Sequence, residues 1–214
     1  MKHKIVLADD HEIILDGLRR ILEPEFEIVA TARDGRKLLM EIERLRPDVA
    51  VADISMPLLN GLDAFRQCQS THFRTPFVFL TASPDVALAT QAFRLGAMGY
   101  ALKHAAAEEL VVAIREALVG RTYITPRIAN EVLHNLMSHP THAAQEGNGL
   151  TGREREVLQL LAEGKIIKHI AAILNVSPRT VEFHKNNVVV KTGLRTTAEL
   201  SRYAARQGLV SDLE

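Results

Sequence analysis

The sequence contains little that could cross-link the chain or place it in a membrane. Only one of its 214 residues is a cysteine, Cys68, which excludes a disulfide within the chain and is typical of a reducing compartment. No apolar run approaches the ~20 residues that a membrane-spanning helix requires. Residues 1–4 lead directly into a strand-like run without a signal-peptide core, so we expect a cytoplasmic protein that does not bind membranes.

The chain also lacks net charge, because 26 Lys and Arg residues balance 26 Asp and Glu residues. The balance is uneven along the chain. Residues 1–120 contain 14 basic and 17 acidic residues, whereas residues 150–214 contain 10 basic and 7 acidic residues. The first part is therefore suited to a bound cation and the second to a polyanion, although the excess of charge is small in both.

Up to residue 120, strand-like runs alternate with amphipathic segments. Strands are predicted at 4–8, 27–32, 48–53, 77–81 and 99–103, and helices at 12–22, 35–45, 62–70, 85–95 and 107–119. This alternation predicts an α/β domain over residues 1–121, with a doubly wound five-stranded parallel sheet covered by helices on both faces. The nearly continuous apolar runs at 48–52 and 77–80 agree, because central parallel strands are buried on both sides.

The remainder of the chain has a different character. Residues 122–149 are interpreted as a linker with a short helix at 126–137, because 138–149 has no period and several helix breakers. The linker histidines His134, His139 and His142 have no Cys or carboxylate cluster nearby and are interpreted as solvated. Residues 150–214 are predicted to form a smaller, all-α domain with helices at 152–163, 167–174, 178–192 and 196–207.

Four of the predicted strands have polar side chains at or directly after their carboxyl ends. They are three acids, a hydroxyl and an amine: Asp9, Asp10, Asp53, Thr81 and Lys103. Ligands of open parallel sheets bind outside the carboxyl ends of the strands. A carboxylate can attack phosphorus, further carboxylates can hold Mg²⁺, and a cation with a hydroxyl can bind phosphoryl oxygens. The pattern therefore predicts a site for a divalent cation and a phosphoryl group.

The residues around this site resemble the receiver domain of bacterial two-component response regulators over residues 3–120. The resemblance rests on four motifs, of which Asp-x-x-Met-Pro-x-x-x-Gly is the most specific. They are Ala8-Asp9-Asp10-His11, the run from Asp53 to Leu62, Leu80-Thr81-Ala82, and Gly99-Tyr100-Ala101-Leu102-Lys103. A receiver is a flavodoxin-like fold, so the resemblance implies the strand order 2-1-3-4-5.

The resemblance also implies a role for each site residue. Asp53 would accept a phosphoryl group from a sensor histidine kinase, and Thr81 and Lys103 would bind its oxygens. Tyr100 would act with Thr81 as the conformational switch, turning inward as Thr81 moves toward the phosphate. Mg²⁺ would be held by four groups: the carboxylates of Asp9, Asp10 and Asp53 and the backbone carbonyl of Ser55.

The C-terminal part has the features of a helix-turn-helix. Ser177 followed by Pro178 predicts the capped start of a helix, joined to the preceding helix by a three- or four-residue turn. The second helix of such a motif enters the major groove of double-stranded DNA, and here Val181 and Val188 are expected to face inward. The residues predicted to contact DNA are Lys168, Arg179, Thr180, Glu182, Phe183, Lys185, Asn186 and Lys191.

This part is similar to the LuxR-type DNA-binding domain over residues 150–210, through residues 150–158, Gly164-Lys165, Ile170-Ala171 and residues 177–184. Together with the receiver-like part, the chain resembles a response regulator of the NarL/FixJ family. Such domains commonly bind promoter DNA as homodimers through the final helix, which makes Leu200, Tyr203 and Ala204 candidate contacts.

Some residues depart from the LuxR-type pattern. They are Ile166, Ile167, Val189, Val190 and Thr192, which stand where polar, basic or larger core residues are usual. Because phosphate binding scales with the number of phosphates neutralised, we expect weaker or unusually selective DNA binding, and the exposed apolar residues could instead contact a protein.

Three functions follow from these features. The leading one is a phosphorylation-dependent DNA-binding transcriptional regulator, which is not an enzyme acting on external substrates. An aspartyl-phosphate phosphohydrolase would need a second carboxylate two residues after its nucleophile, where this chain has Ser55. A phosphate-independent regulator that acts through protein contacts is the remaining alternative, although the intact acidic residues and Lys103 argue against it.

Overall fold

The computed structural model describes residues 1–71, 75–82, 84–104, 107–138 and 149–210. The described residues form two compact units, one built around a sheet and one made of the helices that follow residue 149. None of the described helices combines the length and the apolar character needed to cross a bilayer.

The first unit is a parallel sheet with helices on both faces. Its strands are β1 (Lys4–Ala8), β2 (Glu27–Ala32), β3 (Val49–Ala52), β4 (Phe77–Thr81), β5 (Gly99–Leu102) and β6 (Tyr123–Ile124). Its helices are α1 (Glu12–Leu22), α2 (Gly35–Leu45), α3 (Gly61–Gln69), α4 (Val86–Arg94), α5 (Ala107–Leu118) and α6 (Pro126–Ser138). The predicted α/β fold and the order 2-1-3-4-5 of the first five strands are confirmed.

The sheet has one strand more than the five that were predicted. Strand β6 pairs with β5 in parallel, so the full order is β2-β1-β3-β4-β5-β6. Two residues are too few to show an alternating pattern, which is why the sequence did not indicate this strand. As a result, residues 123–138, which were expected within a linker, are part of the first unit. Residues 139–148, with His139 and His142, lie outside the described residues, and His134 is exposed on α6.

Burial on both faces of the sheet explains the apolar strands. Every residue of β3, β4 and β5 is buried. On one face, α1 and α5 pack on the sheet through residues that include Leu18 and Ile114. On the other face, Phe65 of α3 lies against Phe77 and Phe79, with ring centroids 4.7 and 5.8 Å away. Such a double-sided core holds the strand ends rigidly in place.

The second unit contains α7 (Gly152–Ala162), α8 (Ile167–Leu174), α9 (Pro178–Thr192) and α10 (Thr197–Arg206). Local sequence signals set their ends. Thr151 and Glu154 form a capping box at α7, and Thr196 and Glu199 form another at α10. Ser177 caps α9 by accepting a hydrogen bond from the Thr180 N–H, as predicted.

The core of the second unit corrects one expectation about dimerisation. Leu200, Tyr203 and Ala204 are only 2%, 6% and 0% exposed, and they belong to the same buried cluster as Leu158 and Val188. Helix α10 therefore uses these side chains to pack on α7 and α9. They are core residues, and a dimer formed through α10 would have to use its opposite, exposed face.

Candidate functional site

The acidic residues lie at the carboxyl edge of the sheet. The Asp9 N–H donates to Ala32 O (3.1 Å) and the Asp53 N–H donates to Ala8 O (2.8 Å), so the parallel ladder continues one residue beyond β1 and β3. It carries the side chains of Asp9 and Asp53 to the same edge, where they are 1% and 5% exposed. Asp10 is the outer, exposed acid of the group.

Lys103 connects the two buried acids. Its backbone N–H donates to Thr81 O (2.8 Å), which fixes the turn after β5 beside the end of β4. The ammonium nitrogen lies 2.8 Å from Asp53 Oδ2 and 2.6 Å from Asp9 Oδ2. The site thus contains two buried carboxylates that share one partly buried cation.

The environment alters the acid–base properties of these groups. Burial raises the pKa of the Asp53 carboxyl above its ordinary value, and the neighbouring Lys103 opposes this effect only in part. For Lys103, burial lowers the pKa, but the charges of Asp53 and Asp9 outweigh burial and leave the pKa raised. The lysine therefore remains a cation and attracts negatively charged groups to the oxygens of Asp53.

The turn after Asp53 depends on Gly61, the last residue of the Asp-x-x-Met-Pro-x-x-x-Gly motif. The Gly61 N–H donates to Ile54 O (2.8 Å), which brings the start of α3 against the backbone of the acid. A Cβ atom on Gly61 would lie 2.1 Å from Asp53 O, so no larger residue fits. Asn60 caps α3 by accepting a hydrogen bond from Asp63 N (2.9 Å), and Ser55 lies partly buried in the same turn.

The donor set fits Mg²⁺. Carboxylate oxygens are its preferred protein ligands, and Asp9, Asp10 and Asp53 supply them at one edge. His11 is a neighbour that the sequence did not single out for this site: its Nδ1 lies 2.8 Å from Asp10 Oδ1, and the ligand atoms of Asp9, Asp10 and His11 all lie within 4.8 Å of one another.

The expected switch residues lie next to this edge. Thr81 ends β4 and is 5% exposed, whereas Tyr100 of β5 is fully buried. The Tyr100 hydroxyl lies 3.4 Å from Asp85 O, at the start of α4, and its ring centroid lies 6.5 Å from that of Phe93. Burial and the nearby acids raise the pKa of Tyr100, so its hydroxyl remains a donor. Tyr100 thus occupies the inward position.

The second unit presents a polar helix face with two apolar side chains. Val181 and Val188 of α9 are fully buried, as predicted, and Phe183 is 60% exposed. Val190 is 82% exposed. The predicted DNA contacts Arg179, Glu182 and Asn186 are exposed on the same helix, Lys185 and Thr180 are partly exposed, and Lys168 is exposed on α8. The predicted DNA contacts on α9 other than Lys191 thus share one exposed or partly exposed face.

Lys191 is placed differently from the other predicted DNA contacts. Its Nζ donates to Glu154 Oε2 (2.6 Å) and to Gly149 O (2.8 Å), so it ties the end of α9 to the capping box of α7. Burial raises the pKa of Glu154, but the hydrogen bonds from Lys191 and Thr151 outweigh burial and leave the pKa lowered. The ammonium group is therefore already engaged, which reduces the expected share of Lys191 in phosphate binding.

Comparison with family models gives two matches that together span most of the chain. The response regulator receiver domain matches residues 5–115, and the luxR family of bacterial regulatory proteins matches residues 148–204. Each match corresponds to one of the two units.

Individual relatives span the whole chain. The oxygen regulatory protein NreC of Staphylococcus aureus (strain MRSA252) is 36% identical over 214 residues, covering 97% of this chain and 99% of NreC. RcsB of Salmonella enterica serovar Typhimurium, solved bound to a promoter in the presence of phosphomimetic BeF₃⁻, is 26% identical with a TM-score of 0.61, covering 96% of this chain and 100% of that one. A structure of two RcsB dimers bound to two parallel DNAs is also 26% identical, with a TM-score of 0.58, and covers 96% of this chain and 98% of that one.

Proposed function

The chain belongs to the response regulators of the NarL/FixJ family, in which a receiver domain is joined to a LuxR-type DNA-binding domain, and we propose that phosphorylation of Asp53 controls its DNA binding. The observation that carries this proposal is the pair of buried carboxylates, Asp9 and Asp53, that share the ammonium group of Lys103. A carboxylate beside a fixed cation at a sheet edge is suited to receive a phosphoryl group.

In the proposed reaction, a carboxylate oxygen of Asp53 attacks the phosphorus of a phosphohistidine on a sensor kinase. An acyl phosphate bond forms, the bond to the histidine nitrogen breaks, and the nitrogen keeps its electron pair. Lys103 and the hydroxyl of Thr81 bind the phosphoryl oxygens that arrive. Asp9, Asp10, Asp53 and the carbonyl of Ser55 would hold Mg²⁺, which would neutralise the charge of the phosphoryl group.

The effect on the rest of the receiver would be a shift between two conformations that exist before phosphorylation. A bond from Thr81 to the phosphoryl group would favour the inward position of Tyr100. This change would then alter how the DNA-binding domain or a second copy of the chain is engaged. The relative RcsB was solved bound to a promoter in the presence of a phosphomimetic, and as dimers bound to DNA. These structures support DNA and a second copy of the chain as the proposed partners.

For DNA binding, we assign the exposed face of α9 to the major groove. Arg179, Lys185 and Lys168 are suited to phosphate contacts, and Glu182 and Asn186 are suited to base edges. Phe183 can contact the C5-methyl group of thymine, which is the apolar feature that a base pair displays in this groove. A regulator of this kind works on the chromosome, which agrees with the cytoplasmic location expected from the sequence.

Two alternatives carry different expectations. A phosphohydrolase would need an acid or base beside the acyl phosphate, and Ser55 does not supply one. A phosphate-independent regulator acting through protein contacts is favoured by the exposed side chains of Ile166 and Val190, which are 59% and 82% exposed.

The test compares the wild-type chain with Asp53→Asn and with the control Asp16→Asn, which changes an exposed acid on α1. Each is treated with a small acyl phosphate donor and Mg²⁺, and phosphorylation is measured by intact mass and DNA binding by mobility shift on a selected promoter. We expect phosphorylation and enhanced DNA binding in the wild type and the control, but neither in Asp53→Asn. Equal DNA binding with and without donor would favour the phosphate-independent alternative.

A further inference from the structure

Residues 123–138, which comprise β6 and α6 and are called the arm below, are hydrogen-bonded to the strand that carries the switch tyrosine. The Tyr123 N–H donates to Met98 O (2.9 Å) and the Thr125 N–H donates to Tyr100 O (3.0 Å). The second of these bonds ends on the carbonyl of Tyr100 itself. The backbone of the switch residue is therefore held on one side by β4 and on the other by the arm.

A side-chain latch joins the same part of the arm to α5. Glu109, in the first turn of α5, accepts hydrogen bonds from the Tyr123 hydroxyl (2.9 Å) and from Thr125 Oγ1 (3.2 Å). Burial, together with Glu109, raises the pKa of Tyr123 to about 12, so the phenol stays protonated and keeps donating at neutral pH. Thr125 is only 4% exposed, whereas Tyr123 and Glu109 are partly buried, so the junction is half-buried.

The helical part of the arm packs on α4. Its buried residues are Ile128 and Val132, one helical turn apart and 4% and 1% exposed, and Arg94 of α4 donates to Asn135 O (3.3 Å). On the opposite face of α6, Leu133 is 53% exposed. The arm therefore contacts α4, β5 and α5 at once.

Helix α4 in turn contacts the hydroxyl of Tyr100. Asp85 caps α4 by accepting hydrogen bonds from Ala87 N (2.8 Å) and Leu88 N (3.0 Å), and its carbonyl oxygen lies 3.4 Å from the Tyr100 hydroxyl. The arm thus acts on Tyr100 by two routes. It bonds the backbone of Tyr100 through Thr125, and it packs on the helix whose first residues hold the hydroxyl.

We infer that the arm is a positioning element for the phosphoryl site, because docking of the arm and phosphorylation of Asp53 both stabilise Tyr100 in its inward position. The inference rests on the proposed roles of Asp53 and Tyr100. Its thermodynamic consequence is reciprocal. If docking of the arm raises the affinity for a phosphoryl group by some factor, the bound phosphoryl group raises the equilibrium constant for docking by the same factor. Phosphorylation then holds the arm, which leads to the DNA-binding domain, more firmly on the receiver and does not release it.

The test uses Val132→Asp, which places a charge in the buried face of the arm, and Leu133→Asp as its matched control on the exposed face. The probe is beryllofluoride, a phosphoryl analogue, added with Mg²⁺ to the full chain, and its binding is followed by ¹⁹F NMR. We expect Val132→Asp to weaken beryllofluoride binding by about 5- to 150-fold, the usual range of coupling between sites, and Leu133→Asp to change it by less than about twofold.

A second measurement decides the sign of the coupling. Hydrogen exchange of the amides in the arm is expected to slow when beryllofluoride binds to the wild type. Faster exchange in the arm would overturn the inference, because it would mean that the phosphoryl group releases the arm. An unchanged affinity in Val132→Asp, with exchange showing its arm undocked, would overturn it as well.

Two controls separate the inference from its premises. If the amides of β1 lose protection in Val132→Asp, Tyr123→Phe is the deciding variant, because it removes only the Tyr123 hydroxyl, one of the two donors to Glu109, and keeps the ring. We expect it to weaken beryllofluoride binding by about fivefold, the equivalent of one hydrogen bond, and no change would contradict the inference. If the wild type binds beryllofluoride no better than Asp53→Asn, the proposed function itself fails and the inference with it.

Discussion

The ion pair between Glu154 and Lys191 gives a test of whether Lys191 serves the fold or binds DNA. In Lys191→Met the aliphatic stem remains, but the hydrogen bonds to Glu154 Oε2 and Gly149 O are lost. The Glu154 side chain is 3% exposed and would keep its bond from Thr151 N (2.7 Å), while the side chain of Lys191 is 35% exposed and partly screened by water.

These features set the expected loss of stability. An exposed ion pair contributes ~0.2–1 kcal/mol. Removing one partner of a fully buried pair costs ~3–5 kcal/mol. Because one partner here is buried and the other is partly exposed, we expect Lys191→Met to lower the free energy of unfolding of the DNA-binding domain by about 2 kcal/mol. The measurement is hydrogen exchange of the amides of α7 and α9 under native conditions, which reports this domain separately from the receiver.

The salt dependence of DNA binding distinguishes the two roles. Each phosphate that a cation neutralises contributes ~0.9 to the slope of log K against log salt concentration. The control is Lys168→Met, since Lys168 is exposed and has no ion-pair partner among the described residues. We expect Lys168→Met to lower the slope by about 1 without a loss of stability, and Lys191→Met to lose stability with the slope unchanged. The reverse pattern would refute the assignment of Lys191 to the fold.

Three further predictions concern other residues. Gly61→Ala should destabilise the receiver by ~1–3 kcal/mol in urea unfolding, because the added Cβ would collide with Asp53 O. Its control, Gly17→Ala, has open space around the added Cβ and should stabilise α1, so equal effects of the two substitutions would contradict the close approach at Gly61. Replacing a contacted thymine by uracil should weaken DNA binding by about fourfold, the value of one buried methyl group, and Phe183→Ala should remove this sensitivity in a fluorescence titration. The lowered pKa of Glu154 means that its stabilising effect is present above the ordinary value of 4.5 and is lost as the pH falls through the lower folded-state pKa. Thermal melts in acid should therefore show a weaker pH dependence in Glu154→Gln, and an equal one would argue against a buried ionised carboxylate.

Most of the receiver fold could be predicted because the central strands are buried on both sides and the helices have one apolar face. In the second unit, the Ser-Pro sequence predicted the helix cap at Ser177, and the helical period predicted that Val181 and Val188 face inward. Strand β6 could not be predicted from a local pattern, because it consists of only two residues. It is defined by its hydrogen bonds to β5, from which the whole of α5 separates it in the sequence. The pairing of Lys191 with Glu154 also depends on how α7 and α9 pack, which no local pattern reports.

The expectation for α10 failed for a related reason. Leu200, Tyr203 and Ala204 form an apolar stripe, and a stripe alone does not distinguish the core of a domain from an interface between two copies. Only the packing on Leu158 and Val188 decides it. The site residues of the receiver were easier to place, since the carboxyl ends of parallel strands meet at one edge whatever the details of packing.

The position of Lys103 between Asp9 and Asp53 has a consequence for how the receiver tolerates scarcity of magnesium. Two buried carboxylates without a counterion would repel each other and loosen the ends of β1 and β3. Because the chain supplies its own cation, the negative charge at these strand ends is partly balanced when no divalent ion is bound. Asp9, Asp10 and Asp53 would hold Mg²⁺ in place of part of their contact with Lys103, whose ammonium group would then be available to a phosphoryl group.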